Sequence, residues 1–115
     1  MRNQVWQSHE SLWSDFVRKS HHKARGFYNL GLAYDLRGNT AKAEEYYIQA
    51  LARDPRFFLA LINLAILEAR SGDHQAAIRG FKKAIRVAPL HAPAYDNLAV
   101  EYMRIGDLKN ALFYF

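Results

Sequence analysis

The apolar positions of this chain recur at helical spacing in two successive segments. Phe27, Leu30, Gly31 and Tyr34 lie three or four residues apart, as do Ala43, Tyr47, Ala50 and Leu51. This spacing places each set on one face of a helix. Gly38-Asn39 separates the two segments, and glycine is the residue that most readily ends a helix. Asp54-Pro55 follows the second, and proline disfavours helical geometry in the residue before it. The pattern predicts a helical hairpin.

The hairpin pattern repeats with a period of 34 residues. Residues that recur at this period are Asn29, Asn63 and Asn97; Gly38, Gly72 and Gly106; Ala43, Ala77 and Ala111; Tyr47, Phe81 and Phe115; Ala50 and Ala84; and Pro55 and Pro89. A fixed period of this length is typical of stacked structural repeats. We therefore expect an all-α solenoid with repeats at 24–57, 58–91 and 92–115, the last truncated in its second helix.

The repeated residues resemble the tetratricopeptide repeat. The first unit matches that pattern at Phe27, Leu30, Gly31, Tyr34, Ala43, Tyr47 and Pro55. The second unit departs from it at Leu61 and Glu68, and the third keeps Tyr95, Leu98, Ala99, Tyr102, Ala111 and Phe115. The resemblance implies a right-handed superhelix of helical hairpins. It also implies a scaffold that binds proteins without catalysis.

Residues 1–23 carry a further apolar pattern of their own. Its members are Val5, Trp6, Leu12, Trp13, Phe16 and Val17. Trp13 lies 34 residues before Tyr47, so we expect this segment to pack as the second helix of a degenerate half-repeat. The chain ends on the apolar residues 112–115, where repeat arrays normally carry a polar cap. We expect the sequence to be a piece of a longer array.

A second resemblance concerns the start of the chain. Its residues are Asn3, Trp6, Leu12-Trp13, Arg18-Lys19 and Asn29-Leu30-Gly31. This segment is similar to the junction after the last membrane span of multi-pass membrane glycosyltransferase-like proteins with repeat tails. The resemblance implies an alternative function, a soluble tail that presents substrates to a glycosyltransferase. Contact with a membrane is then expected only through the parent chain.

Composition points away from catalytic and metal sites. The 115 residues include no cysteine, which excludes disulfides and thiolate ligands. The five histidines form no pair at metal-ligand spacing, and Glu44 and Glu45 point apart on a helix. We expect no enzyme activity and no cofactor. The net charge of +5 favours acidic partners mildly.

The expected binding surface lies on the first helix of each repeat. Asn29, Asn63 and Asn97 occupy one position there, and an amide both donates and accepts hydrogen bonds. The row resembles the asparagine row in the repeats of O-linked N-acetylglucosamine transferase, which implies a grip on a peptide backbone. The asparagines alternatively bond only within the scaffold. The predicted groove comprises Arg25, Tyr28, Asn29, Leu32, Asp35, Leu59, Ile62, Asn63, Ile66, Arg70, Asp96, Asn97, Val100 and Arg104.

Three other features of the sequence bear on possible partners of this chain. Leu112, Phe113 and Phe115 form an apolar strip that predicts self-association into a homo-oligomer through open repeat ends. The strip Arg79, Lys82, Lys83 and Arg86 is basic, but a solvated outer face explains it more simply than nucleic-acid binding. Some tetratricopeptide domains clamp the terminal carboxylate of chaperone peptides. Tyr28, Leu32 and Pro93 stand where that clamp needs lysine or asparagine, so chaperone binding is not expected.

Overall fold

The computed structural model describes the backbone of residues 9–114 and the side chains of residues 18–114. Within that range the chain forms six α-helices and no strand. The helices are α1 His9–Leu36, α2 Thr40–Arg53, α3 Phe58–Arg70, α4 His74–Val87, α5 Ala92–Arg104 and α6 Leu108–Tyr114. Each helix packs against the next along the chain. The structure confirms the all-α fold of stacked hairpins.

The turn inside each hairpin is built the same way three times. Gly38, Gly72 and Gly106 have φ of 81°, 93° and 82°, a conformation that only glycine adopts without strain. The residue after each glycine caps the next helix, because its side chain accepts from a backbone N–H three residues on. These caps are Asn39 to Lys42, Asp73 to Ala76 and Asp107 to Asn110, each 3.2 Å long. The 34-residue period therefore recurs in the backbone itself.

The core is made of large side chains set against small ones. Tyr47, Phe81 and Leu98 are the largest side chains that are fully buried, and each comes from a different repeat. Ala43, Ala65, Ala77 and Ala99 are 0% exposed. Small residues at these positions bring the paired helices close enough for the aromatic rings to fill the space between them.

The first helix is longer than the repeat pattern requires. Helix α1 continues through residues 23 and 24, where the sequence pattern places the boundary between the N-terminal segment and the first repeat. The helix contains no proline, and Gly26 does not interrupt it. Ala24 is buried, so the core-facing side of α1 begins at the expected position. The apolar side chains expected to form the half-repeat, from Val5 to Val17, lie outside the described side chains.

Candidate functional site

Polar side chains of the predicted groove meet where the first repeat contacts the second. Arg70 Nη1 of α3 donates to Asp35 Oδ1 of α1 over 3.1 Å. The other carboxylate oxygen of Asp35 accepts from the Tyr47 hydroxyl over 3.5 Å. Asn63 Nδ2 of α3 donates to that same hydroxyl over 3.3 Å. One groove residue of the first repeat, Asp35, is thus joined to Asn63 of the second repeat through the Tyr47 hydroxyl and to Arg70 directly. The sequence indicated Tyr47 only as a core residue.

The Tyr47 hydroxyl remains a neutral donor at physiological pH. Burial raises its pKa above 10.0, and the nearby Asp35 carboxylate raises it further, although the hydrogen bond from Asn63 acts in the opposite direction. Burial also raises the pKa of Tyr28, against an opposing contribution from its hydrogen bond with Asn63. Both phenols are therefore protonated at physiological pH.

The three asparagines of the row differ in their hydrogen bonding. Asn63 donates to Tyr47. Among the described residues, no side-chain hydrogen bond is formed by Asn29, which is exposed, or by Asn97, which is half-buried. Asn63 thus bonds within the scaffold, which is the alternative interpretation of the row. The amides of Asn29 and Asn97 keep their donors and acceptors available.

The apolar members of the groove are mostly half-buried. Tyr28, Leu32, Leu59, Ile66 and Val100 all fall in this class. Ile62 differs, because it is only 6% exposed and packs in the main core with residues such as Leu98. The structure places Ile62 in the core and not on the groove surface. Its position in the repeat is correct, but the neighbouring repeat covers it.

The third repeat is less closely tied to the other groove residues. Arg104 pairs with Glu101 of its own helix over 3.6 Å, and Asp96 is exposed. No described hydrogen bond or ion pair joins Asp96, Asn97 or Val100 to the groove side chains of α3. Their common face with Asn63 and Ile66 remains a prediction from the 34-residue period.

One end of the groove opens into a small basic pocket. The Arg25 guanidinium carbon lies 5.5 Å from the centre of the Phe57 ring, and the His21 ring lies 5.3 Å from it. His21 Nδ1 also lies 3.1 Å from Asp54 Oδ2. The complete lining is His21, Arg25, Arg56, Phe57, Phe58 and Leu59. Of these residues the sequence placed Arg25 and Leu59 in the predicted groove. Arg56 lies in the turn between α2 and α3, and its place beside Arg25 follows only from the fold.

The remaining candidate features have simple structural settings. Leu112 and Phe113 are each 76% exposed, whereas Phe115 lies outside the described residues. In the basic strip of α4, Lys82 Nζ lies 5.6 Å from the centre of the Tyr102 ring. Hydrogen bonding to the Tyr102 hydroxyl raises the pKa of this lysine, partly opposed by burial. Across the described residues, no three His, Asp or Glu side chains are grouped to hold a metal ion. No helix in that range is long and apolar enough to cross a membrane.

Comparison with protein families identifies the repeats. Two family models, both described as tetratricopeptide repeat, match this chain, one over residues 24–57 and the other over residues 62–115.

Curated relatives include proteins with different names. The Photosystem I assembly protein Ycf3 of Synechococcus elongatus is 33% identical over 95 residues, which are 79% of this chain and 54% of that protein. The probable biofilm formation methyltransferase WspC of Pseudomonas aeruginosa is 42% identical over 60 residues, 52% of this chain but only 14% of that protein. The chain thus spans about half the length of Ycf3 and a small part of WspC.

Solved structures share the architecture. The crystal structure of MamA superposes with a TM-score of 0.77 at 26% identity, covering 80% of this chain and 54% of MamA. The second tetratricopeptide domain of Spaghetti, solved with the HSP90 peptide SRMEEVD, gives a TM-score of 0.80 at 18% identity. That match covers 85% of this chain and 90% of the Spaghetti domain, and at this identity it shows the fold alone.

Proposed function

Because this chain belongs to the tetratricopeptide repeat family, we propose that it is a non-catalytic module that binds an extended peptide or a partner helix along its first helices. Tetratricopeptide repeats mediate protein–protein interaction, and the assembly role in the name of Ycf3 agrees with a module of this kind. In the Spaghetti structure a domain of this fold is bound to an HSP90 peptide, which supports the proposal.

The observation that carries the proposal is the unequal bonding of the asparagine row. Asn29 and Asn97 occupy the same repeat position as Asn63, yet their amides have no intramolecular partner in the described part of the chain. A free amide can donate to a peptide carbonyl and accept from a peptide N–H. Half-buried Leu32, Ile66 and Val100 would supply apolar contact beside them. Hydrogen bonds to the peptide backbone give affinity without selecting the ligand's side chains, and apolar contacts increase the buried surface area.

A peptide selection tests the proposal. A random peptide library is selected on the immobilised protein, and the affinity of the enriched peptides is measured by fluorescence anisotropy. We expect the double variant Asn29→Ala/Asn97→Ala to bind about 5- to 150-fold more weakly, because two hydrogen bonds of about 0.5–1.5 kcal/mol each are lost. Gln75→Ala is the matched control, since it removes an exposed amide from α4, a second helix.

Two results would count against this function. One is a double variant that binds as well as the wild type while its thermal unfolding is unchanged. The other is a selection that enriches no peptide on the wild-type protein. Equal losses in the double variant and in Gln75→Ala would move the binding surface away from the first helices.

Self-association is a second candidate, supported by a separate observation. Leu108, Leu112 and Phe113 of α6 are 63–76% exposed, and exposed apolar patches commonly mark interaction surfaces. Light scattering over a dilution series tests it, with Phe113→Glu as the variant expected to stay monomeric. A constant monomer mass for the wild type would exclude it. The glycosyltransferase-tail function remains a prediction, because no observation on the described residues favours it.

A further inference from the structure

We propose that the pocket lined by His21, Arg25, Arg56, Phe57, Phe58 and Leu59 binds a carboxylate group of a peptide held in the groove. The proposal rests on the proposed function, since it assigns a ligand chemistry to one end of the same surface. It is not the lysine and asparagine clamp of chaperone-binding domains, because it uses different repeat positions and a pair of arginines. We call this site the Arg25 pocket.

The geometry leaves the Arg25 guanidinium free to bind. Its carbon lies 5.5 Å from the centre of the Phe57 ring, and Phe57 is itself only 4% exposed. An aromatic face that supports a guanidinium restricts its motion and leaves the N–H groups on its edge available to solvent or ligand. Those groups match the two oxygens of a carboxylate. The ring therefore holds Arg25 ready for an anion.

The charges around the pocket are not balanced within the protein. Of the three groove arginines, Arg70 pairs with Asp35 over 3.1 Å and Arg104 with Glu101 over 3.6 Å. In the described part of the chain no carboxylate pairs with the guanidinium of Arg25 or Arg56.

Asp54, the acidic residue that contacts His21 of the pocket, has its carboxylate already engaged. Asp54 Oδ2 lies 3.1 Å from the His21 ring, and Asp54 Oδ1 accepts from the backbone N–H of Arg56. The pocket thus has two guanidinium groups in its lining, whereas the Asp54 carboxylate is bonded to His21 and to the Arg56 backbone. A ligand carboxylate would supply the missing charge.

The repeat itself shows that the scaffold does not need these arginines. The position of Arg25 is occupied by Leu59 in the second repeat and by Pro93 in the third. The position of Arg56 is occupied by Leu90 one repeat later. Both arginines therefore occur at only one of the equivalent interfaces. A site-specific role explains this difference, whereas a requirement of the fold does not.

The size of the pocket limits what enters it. Its volume is about 80 Å³, far below the roughly 300–1,000 Å³ of pockets that enclose drug-sized ligands. Phe58 and Leu59 give it an apolar wall beside the guanidinium groups. It suits one small anionic group at the end of a longer ligand. Either an acidic side chain or the terminal carboxylate of a peptide has this chemistry.

The test follows the arginine side chains directly. The Nε–Hε resonances of Arg25, Arg56 and Arg86 are recorded by NMR at constant ionic strength during titration with three small probes. N-acetylglutamate α-amide carries a side-chain carboxylate, N-acetylglycine carries a terminal one, and N-acetylglutamine α-amide is neutral. Arg86 is the matched control, because it is an exposed arginine on α4.

We expect saturable shifts at Arg25 and Arg56 with one or both acidic probes, and no comparable shift at Arg86 or with the neutral probe. The acidic probe that saturates at the lower concentration identifies the source of the carboxylate. Arg25→Gln is expected to weaken the response of Arg56 about tenfold, the effect of losing one charge-assisted pair. Equal, non-saturating shifts at all three arginines would overturn the proposal, as would an unchanged Arg56 response in Arg25→Gln.

The outcome is separable from that of the peptide selection. If the selection enriches no peptide but the arginine resonances saturate, the Arg25 pocket stands as an anion site and the groove function fails. If peptides bind through Asn29 and Asn97 but the probes give no saturable shift, the groove function stands and the carboxylate site is wrong. Peptides whose affinity is equally reduced by Arg25→Gln and by Arg86→Gln would also count against the pocket.

Discussion

Gly31 of α1 lies directly against the ring of Tyr47 of α2, so close that a Cβ atom at residue 31 would be 2.5 Å from Tyr47 Cε1. No real Cβ contact is that short, and the Tyr47 ring is 0% exposed, so it has little room to move. The equivalent positions in the second and third repeats hold Ala65 and Ala99. The first hairpin is therefore packed more closely at this point than an alanine would allow.

Two glycine substitutions in the same helix should have opposite effects. We expect Gly31→Ala to lower the free energy of unfolding by about 1–3 kcal/mol, because the added methyl overpacks the core. A Cβ at Gly26 meets nothing within 4 Å, so Gly26→Ala should raise it by up to about 1 kcal/mol through helix propensity. Urea denaturation followed by circular dichroism measures both. A Gly31→Ala protein as stable as Gly26→Ala would contradict this packing.

The Tyr47 hydroxyl should contribute to stability through its link to the second repeat. Tyr47→Phe removes the acceptor for Asn63 and the donor to Asp35, while Arg70 still pairs with Asp35. We expect a loss of about 0.5–1.5 kcal/mol, near the lower end because the bonds are 3.3 and 3.5 Å long. Tyr34→Phe is the control, since its hydroxyl forms no hydrogen bond in the described region. Equal midpoints in urea for the two variants would show that the link contributes nothing.

The repeat architecture was predictable because its determinants are local. A glycine with positive φ, a capping asparagine or aspartate and a proline two residues after a helix all act within one turn of chain. Gly38 and Asn39 illustrate this, and so does the end of α2 at Arg53, just before Asp54-Pro55. The length of α1 was not predictable from the period, because a repeat boundary shows where a pattern restarts and not whether a helix stops there.

The sequence predicted which helix face carries the candidate site, but not how deeply each residue on that face is buried. The helical period assigned Ile62 and Ile66 to the same surface, but the depth of each depends on the neighbouring repeat, which buries Ile62. The sequence likewise marked Tyr47 as core because of its ring, although its hydroxyl reaches Asp35 and Asn63. Such contacts join residues 12 and 16 positions apart across three helices, and no local pattern records them.

Glu101 is a buried carboxylate, and its partner His74 should stabilise the contact between the second and third repeats. It is 3% exposed, and His74 Nδ1 of α4 lies 2.6 Å from its Oε1. We expect His74→Ala to cost about 1–3 kcal/mol, because a buried acceptor loses its partner. Thermal and urea unfolding at pH 7 measure the loss.

The preceding repeat provides the matched control for that pair. Thr40 and Leu67 stand there in place of His74 and Glu101. The double variant His74→Thr/Glu101→Leu should therefore recover most of the stability, since replacing a buried polar pair by apolar packing is often close to neutral. A double variant less stable than His74→Ala would show that the pair is a requirement of this interface.

Glu68 should make the protein less stable as pH rises. Burial raises its pKa above 4.5, and the nearby carboxylates of Asp73 and Glu44 raise it further, partly opposed by Arg79. A raised folded-state pKa means that folding favours the protonated acid. The cost of the ionised form is therefore absent below about pH 4.5, grows as pH rises through the folded pKa, and is complete above it.

Glu68→Gln removes that cost and should stabilise the protein at pH 7 but not at pH 4. The gain should be about 0.2–0.5 kcal/mol, the size of like-charge repulsion on a helix surface, because this side chain is only half-buried and solvent screens its charge. Urea midpoints at the two pH values measure it. Glu45→Gln serves as the control, since Glu45 faces Lys42 over 3.9 Å and its removal relieves no such repulsion. An equal gain from both variants would show only a general charge effect, whereas a gain from Glu68→Gln that persists at pH 4 would contradict the titration of Glu68.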